Sequence, residues 1–318
     1  MRAGGRGAGD AVRAMIVAAG LGTRLRPLTD WLPKPAVPVR GLPLIAHPLA
    51  LLARHGVTEV VINTHPLPER LEAAAREHCP PGLSLRFSRE EELLDTGGGI
   101  RRVAGFLAES DPCLILGGDM LLDTDLSELV REHRASERGV TLLLRDDPRR
   151  EQFGSIGVDA SGVVCRIGSR HRFCDGDHIE TRSGVYVWAN VVSARTLTSL
   201  PEREVFSHFD GWLAPRLASG ARDVGGVFQP CLWEPVGTLD EYLAANFEAH
   251  APSYFDADAR ARARGVRFEP GCVLGAGARV ESGASLERVV VWDGETVPAG
   301  FTGRDGVWAR DRFIEAAR

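Results

Sequence analysis

Between residues 14 and 145 the chain alternates, with few breaks, between short apolar runs and longer segments of helical period. The runs lie at 14–19, 57–63, 83–88, 113–116 and 140–145, and the helical segments at 44–55, 69–78, 100–107 and 126–137. Runs of four to seven apolar residues bounded by glycine or polar residues read as buried strands. Parallel neighbours need a crossover of a dozen or more residues, which a helix supplies. The alternation therefore predicts an α/β fold, with a mostly parallel sheet covered by helices on both faces. Ligands of such sheets bind beyond the carboxyl ends of the strands. Three loops fall at such ends: the glycine-rich run from Ala18, the stretch 95–99, and Gly117-Gly118-Asp119. They predict one shared crevice.

After residue 145 the pattern changes. Segments 155–159 and 163–167 flank Ala160-Ser161-Gly162 as a hairpin would, followed by a strand at 183–188 and a helix at 204–219. Thr238-Leu239-Asp240-Glu241 has the T-x-x-E form of a capping box, opening a helix to about His250. From Gly265 a six-residue period takes over: glycines at 265, 271, 277 and 283, with Phe268, Leu274, Val280 and Leu286 in fixed phase, as are Val266, Cys272, Ala278 and Ala284. After a five-residue slip it resumes at Gly294, Gly300 and Gly306. Such a hexapeptide period resembles a short left-handed β-helix. With two open ends, it is expected to pack on the rest of the chain or on a second subunit, which makes a homo-oligomer a reasonable expectation. The expected divisions are a disordered leader at 1–14, a main unit at 15–250 and a repeat tail at 264–310.

A formal charge of −5 argues against a nucleic-acid partner. No apolar run approaches the length of a membrane span. Residues 1–14 lack the apolar stretch of a secretion signal. The six cysteines are scattered without a C-x-x-C pair, which suits reduced thiols and a cytoplasmic setting. Cys165 and Cys174 flank a loop, and no thiol chemistry follows from their spacing.

Lys34 is the only lysine in a chain carrying 38 Lys+Arg. An ammonium is a compact point charge that suits a single phosphate oxygen, whereas guanidinium is broad and planar. It lies in Trp31-Leu32-Pro33-Lys34-Pro35, shortly after Ala18-Ala19-Gly20-Leu21-Gly22-Thr23-Arg24-Leu25-Arg26-Pro27-Leu28-Thr29. Gly20 and Gly22 suit either a phosphate cradle of backbone N–H groups or an ordinary tight β-α turn. A dinucleotide fingerprint fits poorly, because Leu25 stands where G-x-G-x-x-G needs glycine.

The run A-A-G-x-G-T-R-L-R-P-L-T followed by P-K-P resembles the signature of the sugar-1-phosphate nucleotidylyltransferases. That resemblance spans about 15–250, and a repeat tail is common in the same family. It implies a Rossmann-like doubly wound mixed sheet and transfer of a nucleoside monophosphate from an NTP to a sugar 1-phosphate, releasing pyrophosphate. It further implies a nucleotide site at Ala18, Ala19, Gly20, Gly22 and Thr23, with Arg24 on the β- and γ-phosphates and Lys34 on the reacting phosphates. Asp119, in Leu116-Gly117-Gly118-Asp119, matches the family's N-G-D aspartate that binds Mg²⁺, with Gly117 replacing the asparagine. Asp95-Thr96-Gly97-Gly98-Gly99-Ile100 resembles the loop that closes over base and ribose, in a form nearest that of the muramic-acid and mannose 1-phosphate enzymes. The resemblance implies Thr96, Gly97 and Gly98 as its nucleotide contacts. Arg182-Ser183-Gly184-Val185-Tyr186 resembles a strand lining the sugar pocket, with Gly184 at the sugar; a plain buried strand explains it as well.

Two positions depart from the family pattern. Its W-x-D-[VI]-G-T motif reads Trp233-Glu234-Pro235-Val236-Gly237-Thr238, so proline replaces the second metal-binding aspartate. Glu234 is one residue away and points to the opposite face of a regular strand. The family's E-K-P lysine near the sugar phosphate is replaced by Ser169-Arg170, leaving Arg170 as a substitute charge. Pro235 motivates an alternative: a regulatory subunit of the same fold that binds NDP-sugar without catalysis. Retention of Arg24, Lys34 and Asp119 favours an enzyme.

Overall fold

A computed structural model describes residues 12–176, 178–248 and 252–316. Seven strands organise the main sheet: β1 (Arg13–Val17), β2 (Glu59–Thr64), β3 (Ser84–Arg89), β4 (Cys113–Gly117), β5 (Val140–Arg145), β6 (Arg182–Val192) and β7 (Val224–Phe228). The order β3-β2-β1-β4 is parallel throughout, with Ala14 opposite both Val60 and Leu114. β6 then runs antiparallel between β4 and β5, and β7 pairs parallel with β5. The sheet is therefore mixed. Alternate residues of β1 face opposite ways: Ala14 and Ile16 pack with Leu49 and Leu71, whereas Met15 packs with Ile100 and Val103. Both faces are covered, as the apolar runs require. Among the described residues, no helix is long and apolar enough to cross a membrane.

Several boundaries differ from expectation for physical reasons. β1 begins at Arg13, so residues 12–14 are not leader; Arg13 pairs with Glu59 and donates to the Phe106 carbonyl. The leader's residues 1–11, and 249–250 at the close of the main unit, lie outside the described residues. The helix expected at 100–107 starts at Asp95, running Asp95–Arg102 before a break and Ala104–Leu107. Three consecutive glycines disguise it, since glycine disfavours a helix interior. The helix expected at 204–219 forms only as a π-helical turn, Phe209–Leu213, continuing into Ala214–Ala218. Residues ahead of it are occupied elsewhere: the Phe206 carbonyl accepts from Gly97 N (2.8 Å) and Gly98 N (3.1 Å). The capping box at Thr238 forms, with both reciprocal bonds, on helix Leu239–Phe247.

In the tail, parallel short strands repeat at a 17-residue offset: Cys272 opposite Val289, Arg279 opposite Thr296, Ser285 opposite Thr302 and Val289 opposite Gly306. The corners are glycines 265, 271, 277, 283, 294 and 300, all with φ between +71° and +95°, a region open to glycine. Gly306 is not a corner; it lies inside a strand, where a Cβ would meet the Phe313 ring at 2.5 Å. Nor are the two ends open. Arg267–Glu269 folds antiparallel onto Cys272–Leu274, and Arg312–Glu315 onto Thr302–Ala309. The tail shares one apolar core with the main unit, in which Val273, Val290 and Val307 join Leu25, Leu42 and Tyr242. Trp292 stands across that seam: its indole N–H donates to the Tyr242 hydroxyl (3.2 Å) and its ring meets Trp31 edge-on at 6.0 Å.

Candidate active site

β1 delivers the chain into the glycine-rich loop, which is tied to its neighbour strand. Ala18 N donates to Asn63 Oδ1 (2.7 Å), Asn63 Nδ2 donates to Glu90 Oε1 (2.8 Å), and Glu90 Oε2 accepts from Leu94 N (3.0 Å). This relay fixes the loop to the segment that leads into helix Asp95–Arg102. Gly22 has φ +62°, and a Cβ there would lie 2.9 Å from Thr29 Cγ2 and 3.1 Å from Lys34 Cβ. Thr29 Oγ1 closes the turn by donating to the Gly22 carbonyl (2.9 Å). Gly20 differs: a Cβ there would meet nothing within 4 Å. Its backbone faces open space.

Lys34 sits in a short helical turn, Lys34–Ala36, entered from Pro33. Its Nζ donates to Asp119 Oδ2 at 2.8 Å; the lysine side chain is 11% exposed and the carboxylate 45%. Asp119 occupies the tight connection from β4 to the strand Met120–Asp123, and its carbonyl accepts from Val236 N (3.0 Å). Gly118 is needed in that connection, because a Cβ would lie 2.9 Å from Ile16 Cγ2. The Arg24 guanidinium reaches over Gly237, where a Cβ would approach it to 2.8 Å.

These groups line one cleft of about 340 Å³. Ala18, Ala19, Gly20, Gly22, Arg24 and Lys34 line it, as do Thr96 and Asp119. Asn63, Asp95, Gly117 and Trp188 also line it, with Val17, Pro35 and Leu93. Thr23, Gly97, Gly98, Arg170 and Gly184 do not line it. The two helical glycines make room for protein: a Cβ on Gly98 would lie 2.0 Å from the Glu204 carbonyl oxygen, and one on Gly97 would enter the Phe206 ring. Gly184 likewise makes room for Phe228 and the Arg145 carbonyl. Arg170 is 82% exposed and nearest Asp210, at 3.9 Å.

Pro235 lies opposite Met120 in the pairing of Leu232–Pro235 with Met120–Asp123, one residue from Asp119. Glu234 is committed elsewhere, to Arg149 Nη1 at 3.0 Å. Arg149 in turn holds Asp147 below the usual carboxylate range by direct hydrogen bonding. A divalent cation in the cleft would find two lining carboxylates as donors, Asp119, whose Oδ2 is bonded to Lys34, and Asp95. One protein carboxylate plus substrate phosphates is a sufficient donor set for a hard cation that keeps much of its water. The fit is adequate without position 235. Elsewhere, Cys165, Cys174 and Glu180 bring ligand atoms within 4.8 Å of one another. Glu180, however, is held by two bonds from Arg166, both 2.7 Å, and burial pushes the Cys165 thiol up to about 12.

Asn63 and Trp188 are the polar and aromatic lining residues that sequence reasoning missed. Asn63 had a signal, as the polar end of an apolar strand at a sheet edge facing ligand. Trp188 had only an indirect one, the glycine at 117. The adjoining His208 is almost fully buried, and burial lowers its pKa to about 3, so the ring is neutral.

A family model described as nucleotidyl transferase matches residues 13–251. The chain is 32% identical over 306 residues to mannose-1-phosphate guanylyltransferase of Mycobacterium tuberculosis, covering 91% of this chain and 82% of the relative. It is 26% identical over 246 residues to UTP–glucose-1-phosphate uridylyltransferase of Synechocystis sp., covering 74% of this chain and 62% of the relative. Among solved structures, HddC from Yersinia pseudotuberculosis, crystallised with GMP-PN, superposes with a TM-score of 0.62 at 18% identity, covering 74% of this chain and 99% of HddC. At that identity the likeness is one of fold.

Proposed function

The chain belongs to the nucleotidyl transferase family, and from that premise we propose that the cleft around Lys34 and Asp119 is where it joins an NTP to a sugar 1-phosphate. The observation carrying this reading is the 2.8 Å pair between the sole lysine and Asp119, set beside an open Gly20 backbone. A phosphate oxygen of the sugar 1-phosphate attacks the α-phosphorus; the bond from that phosphorus to the bridging oxygen breaks, and pyrophosphate departs. Little covalent chemistry falls to the protein, so positioning and charge dominate.

Lys34 is pre-placed by flanking prolines, and incoming phosphates would take over part of its bond to Asp119. Arg24 is placed for the departing pyrophosphate, where stabilising developing charge matters most. Asp119, freed on one oxygen, would hold Mg²⁺, which would supply neutralising charge to the phosphates. Ala18, Ala19 and Gly20 would take the nucleotide, with Asn63 and Thr96 on its far side. We read the tail as a short left-handed β-helix that buttresses the catalytic unit, and the unit's extent as about 13–250. Similarity to the M. tuberculosis relative makes GTP with mannose 1-phosphate the first pair to try, and UTP with glucose 1-phosphate the second.

Pro235 supports a second reading, a subunit that binds NDP-sugar without turnover. The test separates them. Pyrophosphate release with Mg²⁺ is measured across NTP and sugar 1-phosphate pairs, with Asp119→Asn as control. Release from a pair, abolished in the control, is expected. Silence across the panel with NDP-sugar still bound establishes the subunit instead.

A further inference from the structure

Trp188 has no assigned role, and four observations converge on it. First, it lines the same cleft as Lys34 and Asp119, from a half-buried position. Second, strand order places it. Asn63 is the penultimate residue of β2, Ala18 follows β1, Asp119 follows β4, and Trp188 lies in β6, so the order β2-β1-β4-β6 puts it across the reacting phosphates from Asn63 and Ala18. If the nucleotide takes the Ala18 side, the sugar faces Trp188. Third, its backbone is strained to put it there. Trp188 has φ +54°, an outlier for a bulky residue, inside a bulge where Tyr186 to Asn190 spans only Leu144 to Leu142. Strain of this kind persists only when the surroundings impose it. Fourth, the opposing residue has been cut down to fit. A Cβ on Gly117 would lie 3.0 Å from Trp188 Cβ.

We propose that Trp188 is the specificity-determining platform of the sugar subsite, offering its ring to the apolar C–H face of a hexose 1-phosphate. The ring is braced from behind by His208 (5.1 Å) and Tyr186 (5.5 Å), so it presents a fixed surface rather than a mobile one. A rigid aromatic costs little entropy on binding and contributes large contact area. Gly117 supplies the room, which accounts for glycine where the family resemblance anticipates asparagine. The site is thereby suited to a pyranose with an unencumbered face, and bulky substituents on that face are excluded.

This proposal rests on the preceding functional reading, so the experiment carries two readouts. In steady-state kinetics, Trp188→Ala is expected to raise KM for the sugar 1-phosphate about tenfold while KM for the NTP stays within about twofold. Trp188→Phe should recover most of the loss. Gly117→Ala should raise the same KM, and the double variant should show less than the product of the two effects. Equal rises in both KM values, or none, overturn the proposal, since a merely structural tryptophan would not discriminate between substrates. The second readout is equilibrium binding of GDP-mannose against GDP, and of UDP-glucose against UDP. Trp188→Ala should erase the sugar's contribution to affinity and leave the free nucleotide's unchanged. A margin erased in a protein without turnover would sink the catalytic reading and uphold the platform. A margin retained in an active enzyme would do the reverse.

Discussion

Glycine serves opposite purposes in the two halves of this molecule. In the tail it recurs at corners, always with positive φ, and a side chain at Gly277 would find its nearest neighbour 4.0 Å away. There the backbone conformation alone requires it. Around the cleft the requirement is mostly space: Gly98, Gly117 and Gly118 would each drive a Cβ to 3.0 Å or less from another atom. Conformational need is periodic, because every coil turns the same corners. Spatial need is aperiodic, because each close approach is unique. The tail's corners can consequently be perturbed gradually, whereas in the cleft, and at Gly306 inside a tail strand, single atoms decide.

The widest gap between the two halves should appear in catalysis. Lys34→Met and Asp119→Asn are expected to lower turnover by a factor of about 10²–10⁴, with thermal midpoints close to wild type because a half-exposed ion pair contributes little stability. A large drop in midpoint would mean the pair is chiefly structural. Next comes the seam. Trp292→Ala should cost about 3–5 kcal/mol, measured by denaturant titration, in one transition, since the tail and main unit share a core. Two resolved transitions would show the halves folding separately.

Glycine substitutions sharpen the contrast directly. Gly98→Ala forces a Cβ to 2.0 Å from the Glu204 carbonyl oxygen, and is expected to cost about 3 kcal/mol. Gly277→Ala meets no clash and should cost about 1–2 kcal/mol from its φ alone. Equal penalties would erase the distinction. Acid sensitivity should also divide. Burial lowers His47, His78 and His133 to about 4 and His208 to about 3, from 6.5. The unfolded chain therefore binds more protons as pH falls from 6.5 towards 4, and stability drops across that window by up to about 1.4 kcal/mol per pH unit per histidine. All four belong to the main unit, and residues 252–318 contain no histidine. Replacing His133, whose ring meets both Thr141 and Ser193 at 2.9 Å, with glutamine should flatten the slope by about one proton; an unchanged slope would locate the titration elsewhere.

Legibility in the sequence followed the same division. The parallel core, the capping box and the six-residue corners were all periodic or local patterns, and the loops expected to converge do so at Gly20, Thr96 and Asp119. Non-local contacts were not legible. Helix Asp95–Arg102 hid behind three glycines because its partner, the 204–206 backbone, lies over a hundred residues away. Gly184 was read as a sugar contact from strand resemblance and Arg170 as a substitute for the E-K-P lysine, but one accommodates Phe228 and the other stands in solvent. Pro235 looked like a gap in the metal site, and the structure adds that Glu234 cannot fill it, being held by Arg149. Gly306 kept the six-residue spacing yet lies within a strand, under Phe313. Spacing shows where a residue recurs, and only packing shows what surrounds it.

The single lysine has a practical side. Across 318 residues the chain offers one ε-amine, on a side chain 11% exposed and bonded to Asp119 in the cleft. Any amine-selective reagent that modifies a side chain here has only one address. The extent of its reaction should therefore gauge occupancy, falling if phosphates fill the cleft, and it can be read by mass on the peptide carrying Lys34, apart from the N-terminal α-amine, without a substrate assay.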